Sequence, residues 1–230
     1  MKIQGLQKLT LLDYPEKVAC TVFFAGCNFR CPFCHNASLV VNIPKEADTT
    51  EEAFFAFLKK RQGILDGVCI TGGEPLMQPE IEGFIRKIKA LGYAVKLDTN
   101  GSYPEKLKYL VHEGLIDYVA MDIKNAISAY EETAGIDGSY LEAVQESVAF
   151  LKEGTVAYEF RTTVTKNFHT AERFEEIGKW IQGADRYFLQ AFVDSGDLIS
   201  PNIIGCDAKE MNEFLSIVKP YIPNARLRGI

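Results

Sequence analysis

Six short apolar runs, each followed by a longer stretch of helical periodicity, most constrain what this chain can become. The runs are VACTVFF (18 to 24), GVCIT (67 to 71), YAVKLD (93 to 98), YVAMDI (118 to 123), VAYEFRTTV (156 to 164) and RYFLQAF (186 to 192). The helical stretches are TTEEAFFAFLKKRQ, PEIEGFIRKIKALG, PEKLKYLVHEG, SYLEAVQESVAFLKEG, TAERFEEIGKWIQG and DAKEMNEFLSIVKPY. Such alternation predicts βα units around a mainly parallel sheet, because a parallel connection needs a crossover long enough to hold a helix. Thr49 or Thr50 is placed to cap the first helix, Pro79 and Pro104 stand at helix starts, and Gly92, Gly114 and Gly154 at helix ends. A short amphipathic segment precedes the first run, and the tail NARLRGI offers one further edge strand.

Six units fall short of the eight in a closed (β/α)8 barrel, which takes about 250 residues. The expected fold is α/β, a partial (β/α)6 TIM-like open barrel with mainly parallel strands, in one domain over residues 1 to 230. Periodicity alone leaves a doubly wound open sheet as the alternative. With 47% hydrophobic residues the chain can bury one sizeable core, and no repeat, low-complexity tract or linker divides it.

An excess of 31 acidic over 25 basic residues, a net charge of −6, argues against a phosphate-binding surface, so no nucleic acid partner is expected. No apolar run reaches the roughly 18 residues of a membrane span, and the N-terminus lacks the layout of a secretory signal. The expected compartment is cytoplasmic, without membrane association. Thiols stay reduced there, so clustered cysteines read as metal-binding or redox-active before they read as disulfides.

In parallel α/β folds chemistry gathers at the C-terminal ends of strands. The unusual polar residues fall there: GCNFRCPFCHN after the first run, Thr71-Gly72-Gly73-Glu74-Pro75 after the second, Asp98-Thr99-Asn100 after the third, and Asp122 with Lys124 after the fourth. Thr163 and Thr165 close the fifth run, and Gln190 and Asp194 the sixth. Cys27, Cys31 and Cys34 offer three soft ligands that can converge from one loop, on an iron–sulfur cluster with one iron left open, on zinc, or without binding a metal. A zinc site would need a fourth ligand from His35, Cys20, Cys69 or Cys206, of which His35 adjoins Cys34 and the next two lie in apolar runs.

Gly72 and Gly73 would let a ligand approach the backbone and Glu74 would accept from an ammonium group, or the stretch is a plain turn. Asp98 to Asn100 suits an Asx-type turn. Asp122 and Lys124, two apart, reach one rim together, as a surface ion pair or as partners of a zwitterionic ligand. Trp180 and the phenylalanines of EEAFFAFL read as core, and His112 and His169 as surface or capping residues.

The joined motifs resemble those of radical S-adenosylmethionine enzymes: Cys27-x-x-x-Cys31-x-x-Cys34 with Phe33 before the last cysteine, then Gly72-Gly73-Glu74-Pro75. The sequence around them, with LDTNG and MDIK, is similar to the activating enzymes of glycyl-radical proteins, and GLQKLTLLDYPEKVACTVFFAGCNFRCPFCHN most of all to those serving the anaerobic ribonucleoside-triphosphate reductase. The resemblance implies that Cys27, Cys31 and Cys34 are the metal ligands and catalytic residues, holding a [4Fe-4S] cluster whose fourth iron is chelated by S-adenosyl-L-methionine.

The resemblance further implies one-electron reduction by flavodoxin or ferredoxin, cleavage of the sulfonium S–C5′ bond, and a 5′-deoxyadenosyl radical that takes a hydrogen from a glycine Cα of the partner. The implied partner is a glycyl-radical enzyme, first the anaerobic reductase, with pyruvate formate-lyase or a different peptide or small molecule as alternatives. Carried over from the resemblance, Phe33 and His35 are expected near the adenine, and Gly72, Gly73 and Glu74 at the methionine amino group. Asp122 and Lys124 face the methionine moiety, with Asp98 and Thr99 near it. LQAFVDSGD lacks the histidine that the pyruvate formate-lyase activators carry after the sixth strand, and no cysteine-rich insertion follows the first motif, so auxiliary clusters are not expected. Six units also predict an open barrel side that admits a partner's glycine loop.

Overall fold

In the computed structural model, which describes residues 2–230, eight strands form one sheet whose order is the order of the chain. The strands are β1 (Ile3–Thr10), β2 (Ala19–Phe24), β3 (Gly67–Gly72), β4 (Ala94–Thr99), β5 (Tyr118–Asp122), β6 (Ala157–Val164), β7 (Tyr187–Ala191) and β8 (Arg226–Arg228). All neighbours from β2 to β8 pair in parallel, and β1 runs antiparallel to β2. A doubly wound sheet reverses its strand order at a switch point; this one never does, so right-handed crossovers carry every helix to the same face and the sheet curls toward a barrel. Since β1 and β8 do not pair, the barrel stays open.

The helices are α1 (Glu51–Lys60), α2 (Ile81–Ala90), α3 (Pro104–His112), α4 (Tyr130–Ala134), α5 (Leu141–Lys152), α6 (Ala171–Trp180) and α7 (Ala208–Val218). Thr50 caps α1 by accepting the Ala53 N–H, and Asp207 with Glu210 forms a capping box on α7. The longer helices bury apolar stripes: Ile81, Phe84, Ile85 and Ile88 of α2 are buried, and Phe84 stacks on Phe54 of α1 at 5.3 Å. Among the described residues no helix is long and apolar enough to cross a membrane.

Two elements escape the periodicity. The amphipathic start is strand β1, whose Leu6 and Leu9, three residues apart, imitate helical spacing; an edge strand has one neighbour and shows weaker alternation. The five-residue α4 is too short to leave a periodic trace, and it ends on Gly135 at φ 64°.

The expectation for His169 is corrected: the residue is buried at 3% exposure rather than at the surface or in a cap. Its Nε2 meets the Lys124 carbonyl at 3.0 Å and its Nδ1 the Thr165 N–H at 3.2 Å, so the ring pins the segment after β5 to the end of β6. His112 is exposed, with its ring against Phe150. Of the phenylalanines in α1, Phe54 is fully buried, and Phe55 and Phe57 pack partly exposed against the core.

Candidate functional site

Parallel register brings the strand ends to one rim. Phe24 pairs with Gly72, so the loop leaving β2 starts beside the glycines that end β3. The two loops touch through backbone: the Gly73 N–H donates to the Phe24 carbonyl and the Glu74 N–H to the Gly26 carbonyl, both at 2.8 Å. A Cβ on Gly73 would lie 2.0 Å from the Gly26 oxygen, so only glycine fits there. The glycine pair therefore serves first to let the cysteine loop lie against the chain, and both glycines also line the cavity beneath it.

That cavity, about 230 Å³, is lined by Cys27, Cys31, Cys34, Phe33, His35, Gly72, Gly73, Asp98, Thr99, Asp122 and Lys124, along with Asn100, Arg161, Thr163 and Gln190. Eleven of the twelve residues singled out from the sequence thus meet in one place; Glu74 does not line the cavity. Its fully buried carboxylate accepts from the Leu76 N–H at 2.9 Å, the Thr99 hydroxyl at 3.0 Å and the Asn100 N–H at 2.7 Å. Burial pushes its acid up to about 7 against the pull of those donors. Glu74 is thereby a buttress that joins the β3 and β4 loops rather than an open acceptor.

The strand ends carry a chain of alternating charge that spacing did not reveal. Lys96 pairs with Asp98; Arg161 donates to Asp98 Oδ2 at 3.2 Å and to Asp122 Oδ1 at 3.0 Å; Lys124 meets Asp122 Oδ2 at 2.9 Å. Register accounts for it: Asp122 and Arg161 are paired neighbours on β5 and β6, and Cys69 and Lys96 on β3 and β4. Burial alone would raise Asp122, and the adjacent Arg161 and Lys124 outweigh it and hold the carboxyl below the usual range. Asp98 is held low in the same way by Arg161 and Lys96. For Lys124, burial works against the charge and the Asp122 carboxylate overcomes it, so the ammonium sits above its ordinary value. Three cations face two carboxylates, a surplus of one positive charge at the rim.

The opposite wall is the cysteine loop. Burial pushes the Cys27 thiol up to about 11 and Cys31 up to about 12, and raises Cys34, so unligated sulfurs stay protonated. A structural zinc site needs four ligands around one ion, whereas a cluster takes its thiolates at separate irons. The α4 turn braces the loop: the Arg30 N–H donates to the Ala134 carbonyl at 2.9 Å, and that carbonyl lies 3.6 Å from Cys31 Sγ. His35 stacks on Phe192 at 5.2 Å, and its buried Nε2 has no hydrogen-bond partner.

The segment after β7 straps this wall. Asp197 accepts from the Ser38 N–H at 3.0 Å and hydroxyl at 2.7 Å, and the Ser200 N–H donates to the Pro32 carbonyl at 3.0 Å. Gln190 and Thr163 line the cavity, while Thr165 is buried and Asp194 turns back to its own loop at Gly196. Cys20 and Cys69 are buried in their strands, as small thiols there usually are.

The radical SAM superfamily model matches residues 21–181. A Methanocaldococcus jannaschii protein, provisionally named a glycyl-radical enzyme activating enzyme, is 33% identical over 99% of this chain and 96% of its own length. The pyruvate formate-lyase-activating enzyme of Clostridium pasteurianum is also 33% identical, over 54% of this chain and 52% of its own. Among solved structures, Streptococcus suis SuiB bound to S-adenosylmethionine superposes with a TM-score of 0.70 at 15% identity, over 91% of this chain and 52% of that one, a likeness of fold. On this evidence the chain belongs to the radical SAM superfamily, whose cofactors are a [4Fe-4S] cluster and S-adenosylmethionine, and it is an oxidoreductase similar to the activating enzymes of glycyl-radical proteins.

Proposed function

We propose that the protein holds a [4Fe-4S] cluster on Cys27, Cys31 and Cys34, binds S-adenosylmethionine beside it, and generates a glycyl radical on an anaerobic ribonucleoside-triphosphate reductase. The observation that carries the reading is the meeting of three clustered free thiols and a net-positive ion relay across one cavity. The residues fit the groups: three soft donors lie in one loop, the relay has one cation to spare, and His35 Nε2 is buried and free. Bound and reduced, the pair supplies one-electron cleavage of the sulfonium S–C5′ bond, releasing methionine and a 5′-deoxyadenosyl radical able to take a glycine Cα hydrogen.

The chain's own residues do the positioning. The surplus charge of Lys96, Arg161 and Lys124 over Asp98 and Asp122 receives a carboxylate, and the rim keeps that charge at neutral pH because the two acids are held low and the lysine high. His35, flat on Phe192, offers one ring nitrogen to a heteroaromatic edge. Phe33, buried against Phe168 and His169, keeps water from the third cysteine. The unpaired β1 and β8 edges leave the side by which a partner's glycine loop enters. An external flavodoxin or ferredoxin supplies the electron.

The specificity for the reductase rests on the N-terminal stretch through His35. Pyruvate formate-lyase is the second reading, favoured by the likeness to the Clostridium pasteurianum enzyme. Anaerobically reconstituted protein is expected to carry about four irons per chain and to release 5′-deoxyadenosine with dithionite and S-adenosylmethionine, both lost on changing Cys27, Cys31 or Cys34 to Ala. Electron spin resonance then decides the partner: a glycyl signal in the co-incubated reductase, absent from its Gly-to-Ala variant, supports the first reading. The signal in pyruvate formate-lyase alone supports the second, and turnover undiminished in all three cysteine variants overturns both.

A further inference from the structure

Asn100, just past β4, reads from sequence as an ordinary turn residue, and half of its side chain does that work. The Ser102 N–H donates to Oδ1 at 2.9 Å and the Ser102 hydroxyl donates to the same oxygen at 2.5 Å. A backbone N–H can only donate, so the atom it meets is the oxygen and the amide orientation follows from the chain itself. Nδ2 is therefore turned the other way, toward Asn28 Oδ1 at 3.0 Å and Cys27 Sγ at 3.8 Å. The residue is 6% exposed, and its backbone N–H is held by Glu74 Oε2. Asn28 is fixed in turn, donating to the Ser102 hydroxyl at 2.9 Å.

This makes the cysteines unequal. Cys27 Sγ has two N–H groups on it, from Asn100 and from the Phe29 backbone at 3.3 Å. Cys31 Sγ instead lies against the Ala134 carbonyl, which offers no proton to a thiolate. Hydrogen bonds to ligand sulfur stabilise the more negative, reduced state of an iron–sulfur cluster and so raise its potential. We propose that Asn100 is a positioning residue that sets how readily the cluster on Cys27, Cys31 and Cys34 accepts its electron, through the amide N–H aimed at Cys27. The same residue links Glu74 to that sulfur, its backbone N–H on the Glu74 carboxylate and its side-chain amide on the first cysteine. The proposal rests on the reading that Cys27 is a cluster ligand. Reduction adds one electron from the external donor, and no bond to Asn100 forms or breaks.

The test is a redox titration followed by electron spin resonance on reconstituted protein without S-adenosylmethionine, with iron content measured on each sample. Asn100→Asp keeps the acceptor for Ser102 and replaces the donor by an acceptor; Asn100→Ala removes both; Asn28→Ala leaves the amide free to face Cys27. The expected order of midpoint potential is wild type with Asn28→Ala highest, Asn100→Ala lower and Asn100→Asp lowest, at equal iron content. At a fixed potential near the wild-type midpoint the reduced fraction falls several-fold in both Asn100 variants. Unchanged midpoints in both, or an Asn28→Ala shift as large as that of Asn100→Ala, overturn the proposal. Wild-type protein that holds no cluster instead overturns the reading beneath it.

Discussion

The two walls of the cavity differ in how far each is complete on its own. On the strand wall every charge has a partner: Lys96, Asp98, Arg161, Asp122 and Lys124 alternate in sign along the ends of β4, β5 and β6 and leave one positive charge over. On the loop wall, burial holds the three thiols protonated and His35 Nε2 has nothing to bind. Strand register delivers the first wall ready-made, because paired residues are fixed opposite each other once the sheet forms. The second is a loop given shape by backbone contacts, and it gains its remaining bonds from what it binds. The fold thus supplies the electrostatics in advance and leaves the ligation for the cofactors.

Arg161→Met breaks the completed wall most severely. It leaves the Asp98 and Asp122 carboxylates with no cation between them, and loss of one partner from a buried pair costs about 3–5 kcal/mol. The urea midpoint is expected to fall accordingly, while Arg161→Lys, which keeps the charge without the fork, loses less. A loss under about 1 kcal/mol would show the relay to be no more than a surface pair and would remove the contrast between the walls.

Each wall also has a buried titratable buttress, and the two respond to pH in opposite directions. Glu74, behind the loop wall, has its acid raised by burial to about 7 from 4.5, so its contribution to stability is present below 4.5 and is lost as pH rises through 7. His169, behind Lys124 on the strand wall, has its imidazole lowered by burial to about 4 from 6.5, so its contribution is present above 6.5 and is lost as pH falls toward 4. Each amounts to about 3 kcal/mol over its range. Between pH 4.5 and 6.5 the two slopes oppose each other in the wild type, with His35, also lowered by burial, on the His169 side. Unfolding free energies of His169→Gln are therefore expected to decline more with rising pH over this range than those of the wild type, and parallel profiles would show that His169 is not the group that opposes Glu74.

The contrast also explains what the sequence made legible. Alternating periods gave the six βα units, and the cysteine spacing marked the loop wall because three soft ligands in eight residues have few structural reasons to occur. Asp98, Asp122 and Lys124 were visible as polar residues at strand ends, but Lys96 and Arg161 were not: each lies within a strand, where a charge looks like a solvated face. Only the register shows that Arg161 lies beside Asp122 and that Lys96 is buried at 1% exposure. By its motif alone Glu74 is an open acceptor, because the motif cannot disclose that Thr99 and Asn100 already donate to it. Strand β1 was hidden by spacing that suits a helix equally well.

The smallest effect belongs to the strap over the loop wall. Asp197 holds the turn that follows the cysteines through the Ser38 N–H and hydroxyl, and the same segment supplies the Phe192 ring against which His35 lies. Asp197→Ala frees that turn without touching a thiol or the strand ends. Iron content is expected to stay at the wild-type level while S-adenosylmethionine affinity, read by equilibrium binding to the reconstituted protein, drops a few-fold. Because the cysteines are braced separately by α4 through Ala134, loss of iron in this variant would show that the strap, and not α4, organises the ligands. Unchanged affinity would place His35 outside the binding surface and leave the strand wall as the part of the cavity that selects the ligand.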